Sequence, residues 1–370
     1  MREDTILRSL YFRFLQFSLG LHDGTEFLSG KALKDFDWNK FYDFSQKQTL
    51  TGVLFEGIKR LPKEAAPPQK LLFRWLGESE ALRKHNMVMN RATAYIYNKV
   101  SAAGYRSCIL KGQGNALMYP NPHTRTPGDV DVWVSASREE IRKLASLLTT
   151  KGNGVIGEES LNHIEMVVKG IAVELHSTPA IMNNPIHNHR LQVWLRRNAD
   201  AQCSNMVALN DGVGEVAVPT STFNAVYQLF HLYHHYFYEG IGLRQIVDYY
   251  YVMLNVECGI MTYELQRDLK RLGLWRFAGA VMYVLREIMN LPAERMIAPV
   301  DEKRGMLLLE EILSGGNFGK YDHNHKDSVI GHNIQRLLRD LRLVRYYPSE
   351  ALTEPIFRAG HFLWRIKNKE

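Results

Sequence analysis

Residues 106–134 read RSCILKGQGNALMYPNPHTRTPGDVDVWV, and this stretch carries most of the information in the chain. Its second apolar run holds Asp129 and Asp131 in alternation with valines. Side chains at positions i and i+2 of a β-strand point to the same face, so the two carboxylates would lie side by side. A divalent cation between them would remove their mutual repulsion. The stretch therefore predicts a strand that binds Mg²⁺ (or Mn²⁺), as is needed to hold the metal against the phosphates of a nucleotide.

The sequence around this stretch predicts a small sheet of mixed strand direction. Ser137 and Glu140 form a capping-box pattern at the start of a helix, and Lys169-Gly170 separates two alternating apolar runs, which is typical of a tight hairpin. The predicted elements are a strand at 106–110, a helical turn at 113–118, a strand at 129–134, a helix at 137–150, and hairpin strands at 163–168 and 171–176.

Helical periodicity dominates on both sides of this unit. Predicted helices cover residues 5–19, 37–61, 69–103 (closed by Gly104) and most of the chain from 220 to 364, with breaks at Gly240, Gly259, Pro292, 314–319 and Pro348. The predicted fold class is therefore α+β, with a small mixed sheet flanked by helical regions. We expect an N-terminal helical region at 1–104, an α/β core at 105–215 and a C-terminal helical domain at 216–370.

Composition restricts the kind of protein and its partners. The 370-residue chain has a formal net charge of +7, which favours anionic partners without choosing among them. No apolar run approaches the length of a membrane span, so no transmembrane segment is expected. Three widely spaced cysteines, Cys108, Cys203 and Cys258, favour reduced thiols and a cytoplasmic location. Arginines recur at 336, 339, 342 and 345; this pattern favours a solvated helix face over a phosphate-binding stripe.

A third acid lies in the second hairpin strand. Glu174 is the single carboxylate in the run Ile171-Ala172-Val173-Glu174-Leu175-His176, and a carboxylate there is costly unless it is paired or bound to a metal. Three acids on neighbouring strands would share two divalent ions. Asp129 and Asp131 would ligate both ions, and Glu174 would ligate the ion nearer the attacking hydroxyl or act as the base that takes its proton.

The turn after the first strand is the predicted phosphate-binding element. Gly112, Gln113 and Gly114 lie where a strand turns into a helix, so their backbone N–H groups would reach phosphate oxygens. Lys111 would add positive charge to the triphosphate. Arg125 would either bind phosphate in a bidentate manner or orient an aspartate.

These motifs together resemble the uncharacterised nucleotidyltransferase family of the DNA polymerase beta-like superfamily. The resemblance rests on Leu110-Lys111-Gly112, Tyr119-Pro120, Arg125, Asp129-Val130-Asp131-Val132 and Val173-Glu174-Leu175-His176. It implies a small mixed sheet flanked by helices, metal-dependent transfer of a nucleotidyl group, and a helical region that covers the site. Similar proteins also carry a histidine-rich helix followed by an Arg…Asp helix, which here correspond to 231–235 and 242–248.

Four further residues are pocket candidates. His231 and His235 share a helix face at spacing i, i+4; a structural or pocket-lining role is favoured over metal binding, because no further ligand has suitable spacing. His176 would assist proton transfer or fill the edge of the site. Arg244 and Asp248 are most simply interpreted as an ion pair within one helix.

Three functions remain open. The first is a metal-dependent nucleotidyltransferase that moves a nucleoside monophosphate from an NTP to an unidentified acceptor (a small molecule, a sugar phosphate or a protein) and releases pyrophosphate. Nucleic acid is a less favoured acceptor, since no helix-turn-helix or zinc-finger pattern is present. The second is a glycosyltransferase that uses the Asp-x-Asp motif for a nucleotide sugar. The third is an inactive nucleotide-binding or antitoxin-like module, because Gly112 is followed by Gln113 where the superfamily usually has Ser or Gly.

Overall fold

The computed structural model describes residues 2–33, 36–256, 260–317, 339 and 341–367. It has an α+β fold, in which a five-stranded mixed sheet is flanked by helices. The helices before the sheet are α1 (Arg2–Ser18), α2 (Thr25–Leu28), α3 (Trp38–Lys47), α4 (Thr51–Ile58) and α5 (Gln69–Ala102). Within the sheet region lie α6 (Gln113–Ala116), α7 (Arg138–Thr149) and α8 (Pro185–Ser204). After it come α9 (Ser221–Tyr238), α10 (Leu243–Asn255), α11 (Ile260–Arg271), α12 (Trp275–Met289), α13 (Glu302–Gly315) and α14 (Pro348–Lys367).

The main sheet has the strand order β1-β2-β5-β4-β3. Its strands are β1 (Ser107–Ile109), β2 (Val130–Val134), β3 (Gly154–Glu159), β4 (His163–Val168) and β5 (Ile171–His176). Strand β2 runs parallel to β5, and the other neighbours are antiparallel. The four strands predicted at 106–110, 129–134, 163–168 and 171–176 are confirmed. The capping box at Ser137 and Glu140 and the helix it begins are also present.

Because side chains alternate along each strand, the two faces of the sheet carry different residues. The apolar residues of β2, β4 and β5 face one way and form a core with α5 and α7, among them Val130, Val132, Ile164, Met166, Val173 and Leu175. The alternate residues face α9, where Trp133 stacks on Phe223 with ring centroids 5.9 Å apart. Asp131, Glu174 and His176 lie on this second face, because they alternate along their strands with the apolar residues that face α5 and α7.

The prediction of one helix over 37–61 is wrong, because two helices, α3 and α4, meet at a break. Thr49 has a φ of 53° there, a left-handed conformation that ends α3. The preceding Gln48 is buried and bonds distant backbone: its Nε2 donates to the carbonyl of Ile312 and its Oε1 accepts from the N–H of Leu243. These contacts tie the break to the C-terminal helices.

Several elements were missed from the sequence. Strand β3 pairs with β4 at the edge of the sheet, where Gly154 is required because a Cβ would lie 1.9 Å from the carbonyl oxygen of Val167. The hairpin β6 (Met206–Ala208) and β7 (Glu215–Ala217) and the helix α8 were also not predicted.

The predicted helix at 69–103 is confirmed, and Gly104 follows it with a φ of 87°. Gly259 and residues 318–319 lie outside the described residues. No described helix is long and apolar enough to cross a membrane.

Candidate active site

A cleft of about 910 Å³ lies between the second face of the sheet and helices α9 and α10. From the sheet side it is lined by residues of β2, β4 and β5 and by the loops beside them, including Asp129, Asp131, His163, Glu174 and His176. From the helical side it is lined by Tyr227, His231, His235, Arg244 and Asp248, among others. Titratable side chains from six or more chain segments therefore converge in one concave site, as in a typical active site.

Three carboxylates meet on the floor of this cleft. Asp131 and Glu174 are register partners on the parallel strands β2 and β5, and Asp129 immediately precedes β2. One carboxylate oxygen of each lies within 4.8 Å of the others. Asp131 is only 2% exposed, and its Oδ2 has no hydrogen-bond partner. A buried carboxylate oxygen without a partner is costly, and a divalent cation held by all three acids would satisfy it.

Two basic groups offset part of this negative charge. The Lys111 Nζ lies 3.2 Å from Asp131 Oδ1, and the His176 Nε2 lies 3.2 Å from the same oxygen and 3.1 Å from Glu174 Oε2. Burial alone would lower the pKa of Lys111, but the charges of Asp131 and Asp129 outweigh burial and raise it. Burial would likewise lower the pKa of His176, yet its hydrogen bonds to Asp131 and Glu174 raise that pKa to about 9.

The same charges act on the neighbouring groups. Burial tends to raise the pKa of Glu174, but the hydrogen bond from His176 and the nearby positive charges lower it to about 2. Burial and the charge of His176 lower the pKa of His163 to about 4. At neutral pH Glu174 is therefore an anion and His163 a neutral imidazole, which are the forms that bind metal ions.

The turn after β1 faces the cleft at one end only. Lys111 and Gly112 line the cleft, and Gly112 has a φ of 63° and a ψ of −116°, which favour glycine. Gln113 and Gly114 do not line it. The Gln113 amide donates instead to Asn90 on α5, and a Cβ at Gly114 would lie 2.9 Å from Val218. The structure thus brings Lys111 and Gly112 to the carboxylates and turns Gln113 and Gly114 toward the core.

Arg125 forms a buried ion pair on the wall of the cleft. Its Nε and Nη2 donate to the two carboxylate oxygens of Asp248 at 2.8 and 2.9 Å, and the Tyr119 hydroxyl donates to the same carboxylate at 2.7 Å. The interpretation of Arg244 and Asp248 as an ion pair within α10 is therefore wrong. Asp248 pairs with Arg125, while the Arg244 Nη1 donates to the carbonyl of Thr126 at 2.9 Å.

Comparison with known proteins identifies the family of this chain. A family model described as an uncharacterised nucleotidyltransferase matches residues 34–290, more than half of the chain. The chain belongs to this nucleotidyltransferase family. A solved structure, an antigenic nucleotidyltransferase-like protein from Paracoccidioides brasiliensis, is 14% identical with a TM-score of 0.37, and the match covers 58% of this chain and 94% of that chain. The search of curated proteins found no match.

The histidines of α9 line the cleft from the helical side. The rings of His231 and His235 lie edge to face with centroids 4.3 Å apart. His231 Nε2 is 3.4 Å from the Lys111 Nζ, and His235 Nδ1 is 3.0 Å from Glu239 Oε2. Burial and the nearby Lys111 ammonium lower the pKa of His231 well below its usual value, so its neutral ring accepts from Lys111. Among the described residues, neither histidine belongs to a group of three metal-ligating side chains.

The sequence did not predict His163 in the cleft, nor the contact between Tyr119 and Asp248 on its wall. His163 lies opposite His176 in the β4–β5 register. A two-residue turn at Lys169-Gly170 already implies that pairing, so the hairpin signal was sufficient to find His163. The contact between Tyr119 and Asp248 had no such signal, since it joins residues 129 positions apart.

Two of the C-terminal arginines form ion pairs with an acid on α13. Arg339 Nη2 is 3.1 Å from Glu311 Oε2, and Arg342 also pairs with Glu311. Two of the four arginines are thus engaged in ion pairs, whereas Arg336 lies outside the described residues.

Cys108 and Cys203 are free thiols, and Cys258 likewise lies outside the described residues.

Proposed function

We propose that this chain transfers a nucleoside monophosphate from an NTP to a hydroxyl or phosphate of an acceptor, with release of pyrophosphate and with Mg²⁺ or Mn²⁺ as cofactor. The observation that carries the proposal is the set Asp129, Asp131 and Glu174, whose ligand oxygens lie within 4.8 Å of one another in the cleft. Membership of a nucleotidyltransferase family supports the reaction class.

The three acids suit a hard divalent cation. Their donor atoms are all carboxylate oxygens, which Mg²⁺ and Mn²⁺ prefer. The unpartnered Oδ2 of buried Asp131 provides a ligand atom that no protein group occupies. When bound, such ions would neutralise phosphate charge and stabilise the entering and leaving oxygens of an in-line displacement at phosphorus.

The basic residues of the cleft would bind and orient the triphosphate. Lys111 and Gly112 lie next to the acids at the end of β1, so Lys111 would place its charge on a phosphate oxygen. His231 accepts from Lys111 and would hold its ammonium in place. Arg125 is engaged by Asp248 and would position the loop that leads to Asp129. Glu174, with a pKa of about 2, is better suited to bind metal than to accept the acceptor's proton.

Nucleotide-dependent thermal stability tests this proposal without a known acceptor. We would compare the wild type with Asp129→Asn/Asp131→Asn, using each NTP with and without Mg²⁺ or Mn²⁺. A ligand at one hundred times its Kd adds roughly 2.7 kcal/mol to the free energy of unfolding, enough to raise Tm measurably. We expect a metal-dependent rise for at least one NTP in the wild type and none in the double variant.

A matched control removes an acid outside the cleft. Asp200→Asn changes an exposed aspartate on α8 and should keep the full NTP-dependent rise. A rise that survives unchanged in the double variant would contradict the assignment of the acids. A rise with nucleotide sugars and none with NTPs would favour the glycosyltransferase alternative.

A further inference from the structure

A second group of metal-ligating side chains lies beside the three acids. His163 on β4 is the register partner of His176 on β5, and Glu174 precedes His176 by two residues, so all three share the face of the sheet that lines the cleft. One ligand atom of each lies within 4.8 Å of the others. Glu174 therefore belongs both to this group and to the carboxylate group.

The spacing of these atoms suits a single ion. His176 Nε2 and Glu174 Oε2 are 3.1 Å apart. Two ligands at bonds of about 2.0–2.1 Å around a tetrahedral ion are separated by about 3.4 Å, so a small movement brings this pair to coordination distance. The rings of His163 and His176 have centroids 5.0 Å apart, close enough for both imidazoles to reach the same ion.

The environment of the two imidazoles also points to a ligand. Ser160 Oγ lies 3.0 Å from His163 Nδ1. When Nδ1–H donates to this hydroxyl, Nε2 carries the lone pair, which is how metal-binding histidines are usually oriented. His176 is only 4% exposed, and its Nε2 faces Asp131 Oδ1 and Glu174 Oε2. An ion bound at Nε2 would displace the proton with which this nitrogen bonds the two carboxylates.

The donor atoms of the two groups select different ions. The three acids offer oxygen only, whereas His163, Glu174 and His176 offer two imidazole nitrogens and one carboxylate oxygen. Imidazole suits Zn²⁺ and similar transition metals, and carboxylate oxygen suits Mg²⁺ and Mn²⁺. We propose that His163, Glu174 and His176 bind one transition-metal ion of the zinc class, with Glu174 shared between this ion and the neighbouring carboxylate site.

Cobalt titration tests the proposal, because Co²⁺ takes the place of Zn²⁺ and reports its ligands. Metal-free protein is titrated with Co²⁺ and no nucleotide, and binding is followed by visible absorption and by paramagnetically shifted imidazole proton resonances. We expect shifted signals from two histidines in the wild type, displaced by Zn²⁺ and unaffected by an excess of Mg²⁺. Since no nucleotide is present, the result is independent of the NTP experiment.

Four variants and one matched control locate the ion. His163→Ala and the more conservative His163→Gln should abolish the shifted imidazole signals, and Ser160→Ala should weaken Co²⁺ binding roughly 10- to 100-fold. Asp129→Asn, which alters only the carboxylate group, should keep the imidazole signals. His85→Ala, an exposed histidine on α5, is the matched control and should behave as the wild type. The far-ultraviolet spectrum and Tm of each variant show that it is folded.

Two outcomes would overturn the proposal. One is Co²⁺ binding of equal affinity in the wild type and in both folded His163 variants. The other is Co²⁺ binding that Asp129→Asn abolishes and that shows no imidazole signals, which would place the ion on the three acids alone.

Discussion

Asp131 and Asp248 are both buried carboxylates that line the same cleft, but their oxygens are satisfied differently. Asp248 receives two hydrogen bonds from Arg125 and one from Tyr119, so both of its oxygens are occupied. Asp131 has Lys111 and His176 near Oδ1, whereas Oδ2 has no hydrogen-bond partner. The protein therefore satisfies both oxygens of Asp248, the completed carboxylate. It leaves one oxygen of Asp131, the open carboxylate, without a hydrogen-bond partner.

Asp248, the completed carboxylate, helps to fix the loop that precedes β2. Arg125 begins the loop that leads to Asp129, and its carbonyl accepts from the Asn86 amide on α5 at 2.9 Å. Arg244 on α10 holds the next residue through the carbonyl of Thr126. The Arg125–Asp248 pair thus joins α5, α10 and the loop, and it fixes the direction from which the chain enters β2. A rigid support of this kind keeps metal-binding carboxylates in position.

Asp248→Ala should have the largest effect on stability. It leaves the guanidinium of Arg125, which is 4% exposed, without its anion, and breaking a buried pair from one side costs about 3–5 kcal/mol in the free energy of unfolding. Asp129→Asn is the comparison: Asp129 is half-buried, so the metal-free protein should lose less than about 1 kcal/mol. Urea denaturation measures both. Equal losses for the two variants would contradict the distinction between completed and open carboxylates.

The three acids of the cleft floor were predictable from the sequence, and the partner of Asp248 was not. Asp129, Asp131 and Glu174 lie in short apolar runs whose period of two fixes their face, so local pattern was enough to place them together. The partner of Arg125 is 123 residues away on another element, and no local pattern encodes such a contact. The break at Thr49 escaped prediction for the same reason, since Gln48 bonds backbone near residues 243 and 312.

Local sequence pattern also did not predict which of the two glycines after β1 lines the cleft. Gly112 and Gly114 look alike in the sequence, but the first lines the cleft and the second makes room for Val218. Strand β3 lacks the alternation of β4 and β5, because it is an edge strand with mostly exposed residues.

Glu350 extends the comparison to a buried carboxylate outside the cleft. Its Oε1 accepts from the N–H of Asn183 at 3.2 Å and its Oε2 has no hydrogen-bond partner. Burial raises the pKa of Glu350 to about 7. The folded state therefore favours the protonated form, and the stability that this group contributes is full below pH 4.5 and lost as the pH rises through 7.

Glu350→Gln should remove this pH dependence. The amide keeps an acceptor for Asn183 and carries no charge, so the variant should exceed the wild type in stability at pH 8 by up to about 3 kcal/mol. Near pH 4.5 the two proteins should be about equally stable. Denaturation curves collected between pH 4.5 and 8 measure the difference. A constant offset between the two proteins across this range would show that Glu350 is already ionised in the folded state.

The two glycines of the turn after β1 give the smallest and most local test. Gly114→Ala places a Cβ 2.9 Å from a methyl group of Val218, which has to shift, at a cost of about 1 kcal/mol in stability. Because Gly114 faces the core, the metal-dependent rise in Tm with NTP should persist. Gly112→Ala places a Cβ 3.4 Å from the carbonyl oxygen of Asp129, an ordinary contact, but at a φ of 63°, so its cost of about 1–3 kcal/mol is backbone strain at the edge of the cleft. That strain shifts the turn that carries Lys111, and the NTP-dependent rise should shrink. If both substitutions reduced the rise equally, the whole turn, and not only its first half, would contact the nucleotide.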